Sequence, residues 1–203
     1  MESLRSPRAL NLVDGTSLRI AMLLEGKRGV PVSRGPSLFR LALEEGAAHG
    51  KKQILLGGSS DFDSQMRATL SERNVPTHNL RVIDPGYQRI TPAWLEAILT
   101  TVRQYGDSDV IWVGLGTPKQ DIVADYITKH LGVTTVAVGA AFDFYAGSVR
   151  EAPQWLHHSG FEWVYRLLKE PRRLWRRYAL GNLAFARLIL RSHLRARLVR
   201  RKP

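Results

Sequence analysis

Residues 109–114, DVIWVG, run without a break into 114–121, GLGTPKQD, and this junction decides the fold. A short apolar run rich in Val and Ile that ends in Gly is how a buried parallel strand looks where it delivers the chain into a tight turn. Gly114 and Gly116 permit close backbone approach, and Pro118 suits the first turn of a helix because it has no N–H to leave unpaired there. The free N–H groups of such a helix start favour an anion. A second junction of the same kind follows at residues 133–147, VTTVAVGAAFDFYAG.

Working upstream, QILLGG at residues 53–58 and LRVI at 80–83 read as two further strands, with a weaker apolar run, ALNLV, at 9–13. Between them lie helical patterns. Leu38, Leu41 and Leu43 recur at helical spacing up to Gly50, residues 61–73 form a second helix, and TPAWLEAILTTVRQYG (91–106) a third, with Pro92 in its first turn. PKQDIVADYITKHLG (118–132) is a fourth, and TSLRIAMLLEG (16–26) a short one. Strand–helix alternation with short connections predicts an α/β fold, a Rossmann-like parallel sheet with helices on both faces. Ligands of such sheets bind outside the carboxyl ends of the strands.

The formal net charge of +12 over 203 residues points to an anionic partner: nucleic acid, a phosphorylated substrate or an acidic membrane surface. Cysteine is absent, which excludes disulfides and thiolate metal sites. The N-terminal MESLRSPRALNL lacks the apolar core of a signal peptide, and no apolar run approaches the roughly 20 residues of a membrane span. After Gly147 the chain becomes arginine-rich. On a helical wheel from Arg172 to Tyr178, Leu174, Trp175 and Tyr178 share one side and four arginines the other, as in an interfacial helix or in a basic helix docked on its own domain. The sequence therefore divides into an α/β domain over residues 1–149 and a helical, Arg-rich C-terminal appendage over 150–203.

Several side chains carry two readings. Asp14, before Gly15, is a turn residue or a carboxylate projected into a cleft. Asp61 and Asp63 form a D-x-D pair that serves a divalent metal in some glycosyltransferases, but capping and charging a helix start explains them better. Gln120, Asp143 and Arg166 have ordinary explanations as a first-turn, a turn and a solvated residue. His157 and His158 read as surface or packing residues.

Four ordered blocks resolve part of this: G-L-G-x-P-K-Q-[ED] at Gly114 to Asp121, V-G-x-x-F-D-x-x-A-G at Val138 to Gly147, R-x-A-P at Arg150 to Pro153, and E-W-x-Y-R-L-x-x-E-P-x-R-x-x-R at Glu162 to Arg176. Together the blocks make the chain resemble the WecG/TagA/CpsF glycosyltransferases, which build bacterial surface polymers. The likeness covers about residues 10–182.

The resemblance implies an inverting, metal-independent transfer that needs no cofactor. A sugar, typically an N-acetylhexosamine such as N-acetylmannosamine, passes from a UDP-sugar to a polyprenyl-diphosphate-linked sugar. By the same likeness Asp14 matches the catalytic aspartate and Gln120 an active-site glutamine. Arg34 is the nearest match to an arginine that is usual just upstream of the glycine at Gly35. Arg166, Arg173 and Arg176 match basic residues of an appendage that packs over the active site and helps engage the membrane. Gly114, Gly116 and Lys119, with Gly139, Phe142 and Asp143, fall in blocks that look like the donor pocket. The location implied is cytoplasmic, peripheral on the inner face of the bacterial plasma membrane, and self-association is expected if the appendage is displaced.

Two departures accompany the likeness. The family's pattern opens with a further strand–helix unit, and this sequence begins after it. Where G-x-D-L is usual, Gly35-Pro36-Ser37-Leu38 lacks the carboxylate. A family-derived protein that binds a UDP-sugar without turnover is thus a second reading. Nucleic-acid binding rests on the basic tail alone, with no recognised module, and nucleic acid is not expected as a partner.

Overall fold

The computed structural model describes residues 9–12, 16–27, 33–58, 61–156, 161–172, 174–175, 179, 181, 185 and 187, the side chains of Thr16, Ser17, Ile20, Leu24 and Gln154 excepted. Among these, helix α1 (Thr16–Leu24) is followed by α2 (Gly35–Ala48), β1 (Gln53–Gly57), α3 (Phe62–Glu72), β2 (Leu80–Ile83) and α4 (Pro92–Gln104). Then come β3 (Val110–Gly114), α5 (Lys119–Leu131), β4 (Thr134–Ala137), the short α6 (Ala141–Tyr145) and α7 (Glu162–Lys169). The Rossmann-like α/β reading is correct: the four strands form one all-parallel sheet in the order β2-β1-β3-β4.

The alternation of side chains along each strand sends two sets of residues to opposite faces. Ile54, Leu56, Ile111 and Val113 pack beneath α4 and α5 with Trp94, Ile98, Val102, Val123 and Ile127. Leu55 and Trp112 face α2, α3 and α6, where Phe39, Leu43, Phe62, Met66, Phe142 and Tyr145 complete the second core. Central β1 is buried throughout, which is why QILLG is a continuous apolar run and not an alternating one.

Helix ends follow local chemistry. Thr91 caps α4 through the Trp94 N–H at 3.2 Å, with Pro92 behind it, and Gly106 follows the last turn in the left-handed region. Other details differ from the sequence reading. Residues 9–12 form no strand. Helix α2 begins at Gly35 and takes in Pro36 and Ser37, since Pro fits its first turn as well as it fits a loop. Pro118 is the N-cap of α5 and lies outside the helix. Asp61 is the N-cap of α3 but makes no side-chain cap bond, while Asp63 in the first turn pairs with Arg67 at 2.9 Å.

Two compact units are distinguished. One comprises Met1–Asp14 and Val32–Arg150, the other Gly15–Pro31 and Glu151–Pro203, so α1 belongs with the C-terminal segment. In that second unit α7 buries no residue and shows Trp163 and Leu168 to solvent. Leu174 is buried there and Trp175 is 52% exposed, while Tyr178 lies outside the described residues. No helix among the described residues is long and apolar enough to cross a membrane.

Candidate active site at the carboxyl edge of the sheet

The chain leaves β1 to reach β2 on one side and leaves β3 to reach β4 on the other, so the strand order reverses between β1 and β3. A crevice opens at such a switch point, outside the carboxyl ends of the strands. Here glycines keep it free of side chains. Gly57 pairs with Gly114 in register, and a Cβ on Gly57 would lie 2.6 Å from the Gly114 carbonyl oxygen. A Cβ on Gly114 would in turn lie 2.3 Å from the ring of Phe142, and one on Gly58 2.2 Å from the ring of Phe62. These two rings stack with centroids 4.9 Å apart.

Phe142 is 1% exposed, held also by Phe39 at 5.1 Å between centroids. Its ring is the floor beneath the Gly114 edge and presents nothing to a ligand in this conformation. Asp143, next along α6, is half-buried, and its backbone carbonyl accepts from the Val149 N–H and the Ser148 hydroxyl, each at 3.1 Å.

Gln120 sits in the first turn of α5, which Gly116 aligns: the Gly116 carbonyl accepts the Gln120 N–H at 2.9 Å, and Gly116 itself has φ 73°. The Gln120 side chain is only 8% exposed. Its Nε2 has a long contact of 3.4 Å to Thr117 Oγ1, and its Oε1 is buried with no hydrogen-bond partner among the described residues. A buried amide oxygen left unmatched is costly, and such groups mark places where a ligand or water completes the shell. Gly139, with φ 56°, makes room for it, since a Cβ there would lie 3.2 Å from Oε1. The β3–α5 and β4–α6 turns thus meet at this amide.

Lys119 turns towards the β2–α4 loop. Its ammonium donates to the Gln88 carbonyl and lies 4.9 Å from the Trp94 ring centroid and 5.1 Å from that of the fully exposed Tyr87. The loop is stiffened in its own right by the Gly86 N–H donating to Asp84 at 2.8 Å and by Trp94 Nε1 donating to the Pro85 carbonyl at 3.0 Å.

Arg34 is the N-cap residue of α2 and donates to Ser37 Oγ at 3.3 Å. Because α2 leads through a short turn into the start of β1, it runs against the strands and brings Arg34 to their carboxyl edge. Of the other residues singled out in the sequence, Arg166 lies half-buried on α7 in the second compact unit. Asp14, Arg173 and Arg176 lie outside the described residues, as do His157 and His158.

One neighbour was not singled out by the sequence reading. Asp121 is half-buried in the first turn of α5, and burial raises its carboxyl above the ordinary aspartate value. The signal for it was local: an acid in the first turn of a helix whose N-cap is proline cannot close a capping box, because Pro118 has no N–H to offer.

A glycine-cleared switch point, bordered by a helix N-terminus and by polar groups left open, is the architecture of a nucleotide or sugar-nucleotide site. The comparison with known families names the same family and reaches further along the chain than residues 10–182. The model of the glycosyl transferase WecG/TagA/CpsF family matches residues 2–199 of the 203, and the chain belongs to that family of glycosyltransferases.

Proposed function

We propose that this glycosyltransferase of surface-polymer synthesis moves an N-acetylhexosamine, N-acetylmannosamine first among the candidates, from UDP to a polyprenyl-diphosphate-linked sugar, inverting the anomeric centre. The observation that carries the proposal is the glycine-lined edge at the β1/β3 switch point with the unmatched Gln120 Oε1 beside Gly139. A UDP-sugar has the features this edge asks for: a flat base and diphosphate to lie along bare backbone, and hydroxyl and N–H donors for open acceptors.

In this reading Asp14 takes the proton of the acceptor hydroxyl as that oxygen attacks the anomeric carbon, and the bond to UDP breaks on the opposite side. Negative charge then gathers on the departing diphosphate. Arg34 from α2 and Arg166, Arg173 and Arg176 from the C-terminal segment neutralise it, so that no divalent metal is required. Lys119 adds positive charge at the edge and holds the β2–α4 loop. Gln120 orients the donor. The basic C-terminal segment, with exposed Trp163, Leu168 and Trp175, holds the enzyme against the acidic inner face of the bacterial plasma membrane, where its acceptor resides.

The test is transfer of labelled sugar from UDP-N-acetylmannosamine, and from a panel of other UDP-sugars, to a short-chain N-acetylglucosamine-diphosphate-prenyl acceptor without added metal, with Asp14→Asn in parallel. Product from one donor that disappears in Asp14→Asn is expected. UDP binding without product from any donor would instead favour a member that binds and does not turn over.

A further inference from the structure

Asp121 occupies the third position of α5 and has no capping-box partner, since the N-cap, Pro118, carries no N–H. It forms no hydrogen bond or ion pair among the described residues. Asp125, one turn further on, is by contrast paired with Lys129 at 2.7 Å. Partial burial makes the charged form of Asp121 less favourable, and among the described residues no side chain offsets that cost, only the N-terminus of α5 itself. One residue earlier along the same turn, Gln120 is more than nine-tenths buried and its Oε1 has no partner among the described residues.

The start of α5 therefore offers two successive acceptors, one anionic, and neither is matched. A helix N-terminus alone would invite a phosphate, but a carboxylate in its first turn repels one. The chemistry that fits both groups is a donor: a hydroxyl, or an amide N–H.

We propose that Asp121 is a specificity-determining residue whose carboxylate accepts a hydrogen bond from a hydroxyl of the bound nucleotide-sugar, with Gln120 Oε1 accepting a second donor of the same ligand. This rests on the reading that the carboxyl edge binds a UDP-sugar. The carboxylate also sets the ligand's direction, because the diphosphate is driven away from the α5 start while the hydroxyl-bearing ring is drawn to it. The hydroxyl belongs either to the ribose or to the transferred hexose.

Calorimetric titration of the full chain and of Asp121→Asn and Asp121→Ser with UDP, 2′-deoxy-UDP and UDP-N-acetylmannosamine tests this, with thermal unfolding of each ligand-free protein alongside. A charge-assisted hydrogen bond lost from the complex weakens binding about 10- to 100-fold. Asp121→Ser, too short to make the same bond, is expected to lose that much, whereas Asp121→Asn keeps a neutral acceptor oxygen and loses less. Neither unfolds much earlier than the wild type, because the carboxylate has no side-chain partner among the described residues. A loss present with UDP and absent with 2′-deoxy-UDP assigns the ribose 2′-hydroxyl, an equal loss with both assigns the 3′-hydroxyl, and a loss confined to the sugar nucleotide assigns the hexose. Asp121→Ser keeps a small polar residue in the first turn, so the comparison survives if one variant does not fold. Variants that bind all three ligands within about twofold of the wild type overturn the inference alone. A wild-type chain that binds none of the three overturns the UDP-sugar reading together with it.

Discussion

Gly57 and Gly114 face each other at the ends of β1 and β3 so closely that a methyl group on Gly57 would lie 2.6 Å from the Gly114 carbonyl oxygen. Gly57 also has φ 127°, a conformation that only glycine adopts without strain. Backbone strain and overpacking each cost about 1–3 kcal/mol, so Gly57→Ala should lose about 2–6 kcal/mol in denaturant unfolding. Nucleotide binding should fall with it, because the two strand ends must part. Gly106→Ala, with positive φ but open space around the new methyl, should lose markedly less.

Gln120 separates stability from chemistry. Its side-chain amide makes one long contact inside the protein and leaves its oxygen unmatched, so Gln120→Ala should change unfolding free energy by no more than about 1 kcal/mol. Sugar transfer should nevertheless fall about 10- to 100-fold. Gly139→Ala should reproduce much of that loss by crowding Oε1 from 3.2 Å while leaving the amide present. Parallel measurements of kcat/KM and unfolding midpoint check both.

A buried carboxamide ties α2 to the sheet. Gln53 is 1% exposed, donates to the Leu43 carbonyl at 2.9 Å and accepts from Trp112 Nε1 at 2.9 Å. Gln53→Met keeps the shape and removes both bonds, leaving the indole N–H unpaired in the core, at an expected cost of about 2–3 kcal/mol. Adding Trp112→Phe should recover part of this by removing the orphaned donor, which a double-mutant cycle in urea would reveal.

Tyr145 predicts the alkaline limit of the fold. Burial first, then its hydrogen bond to Glu44 at 3.0 Å, holds its phenol well above the ordinary value of 10.0. In the unfolded chain the same phenol ionises near that value, so above about pH 10 the unfolded state binds fewer protons than the native one and stability declines as pH rises. Tyr145→Phe should cost about 1 kcal/mol at neutral pH through the lost hydrogen bond. It should also flatten the decline of unfolding midpoint between about pH 10 and 11.5.

Much of the sheet domain was legible because its information is local. DVIWVG and QILLGG are apolar without alternation, as strands covered on both faces must be, and the glycines, Pro92 and Thr91 mark turns and caps that depend on a few neighbouring residues. ALNLV misled for the same reason: its described part, residues 9–12, is apolar but forms no strand. An apolar run of that length carries no sign of whether a sheet edge exists to receive it. The boundaries of α2 were blurred because Pro36 suits a loop and a first helical turn equally.

What the sequence by itself determined was the class of fold, the family to which the chain belongs, and the turns that border a site. Those follow from short-range patterns and ordered motifs. Only the tertiary structure decided what each marked residue does there. It laid Phe142 under Gly114 as a floor, spent Lys119 on Gln88, Tyr87 and Trp94, and left the oxygen of Gln120 and the carboxylate of Asp121 unmatched among the described residues. Whether a polar group is satisfied depends on atoms brought from distant parts of the chain, and no spacing along the sequence contains that sum.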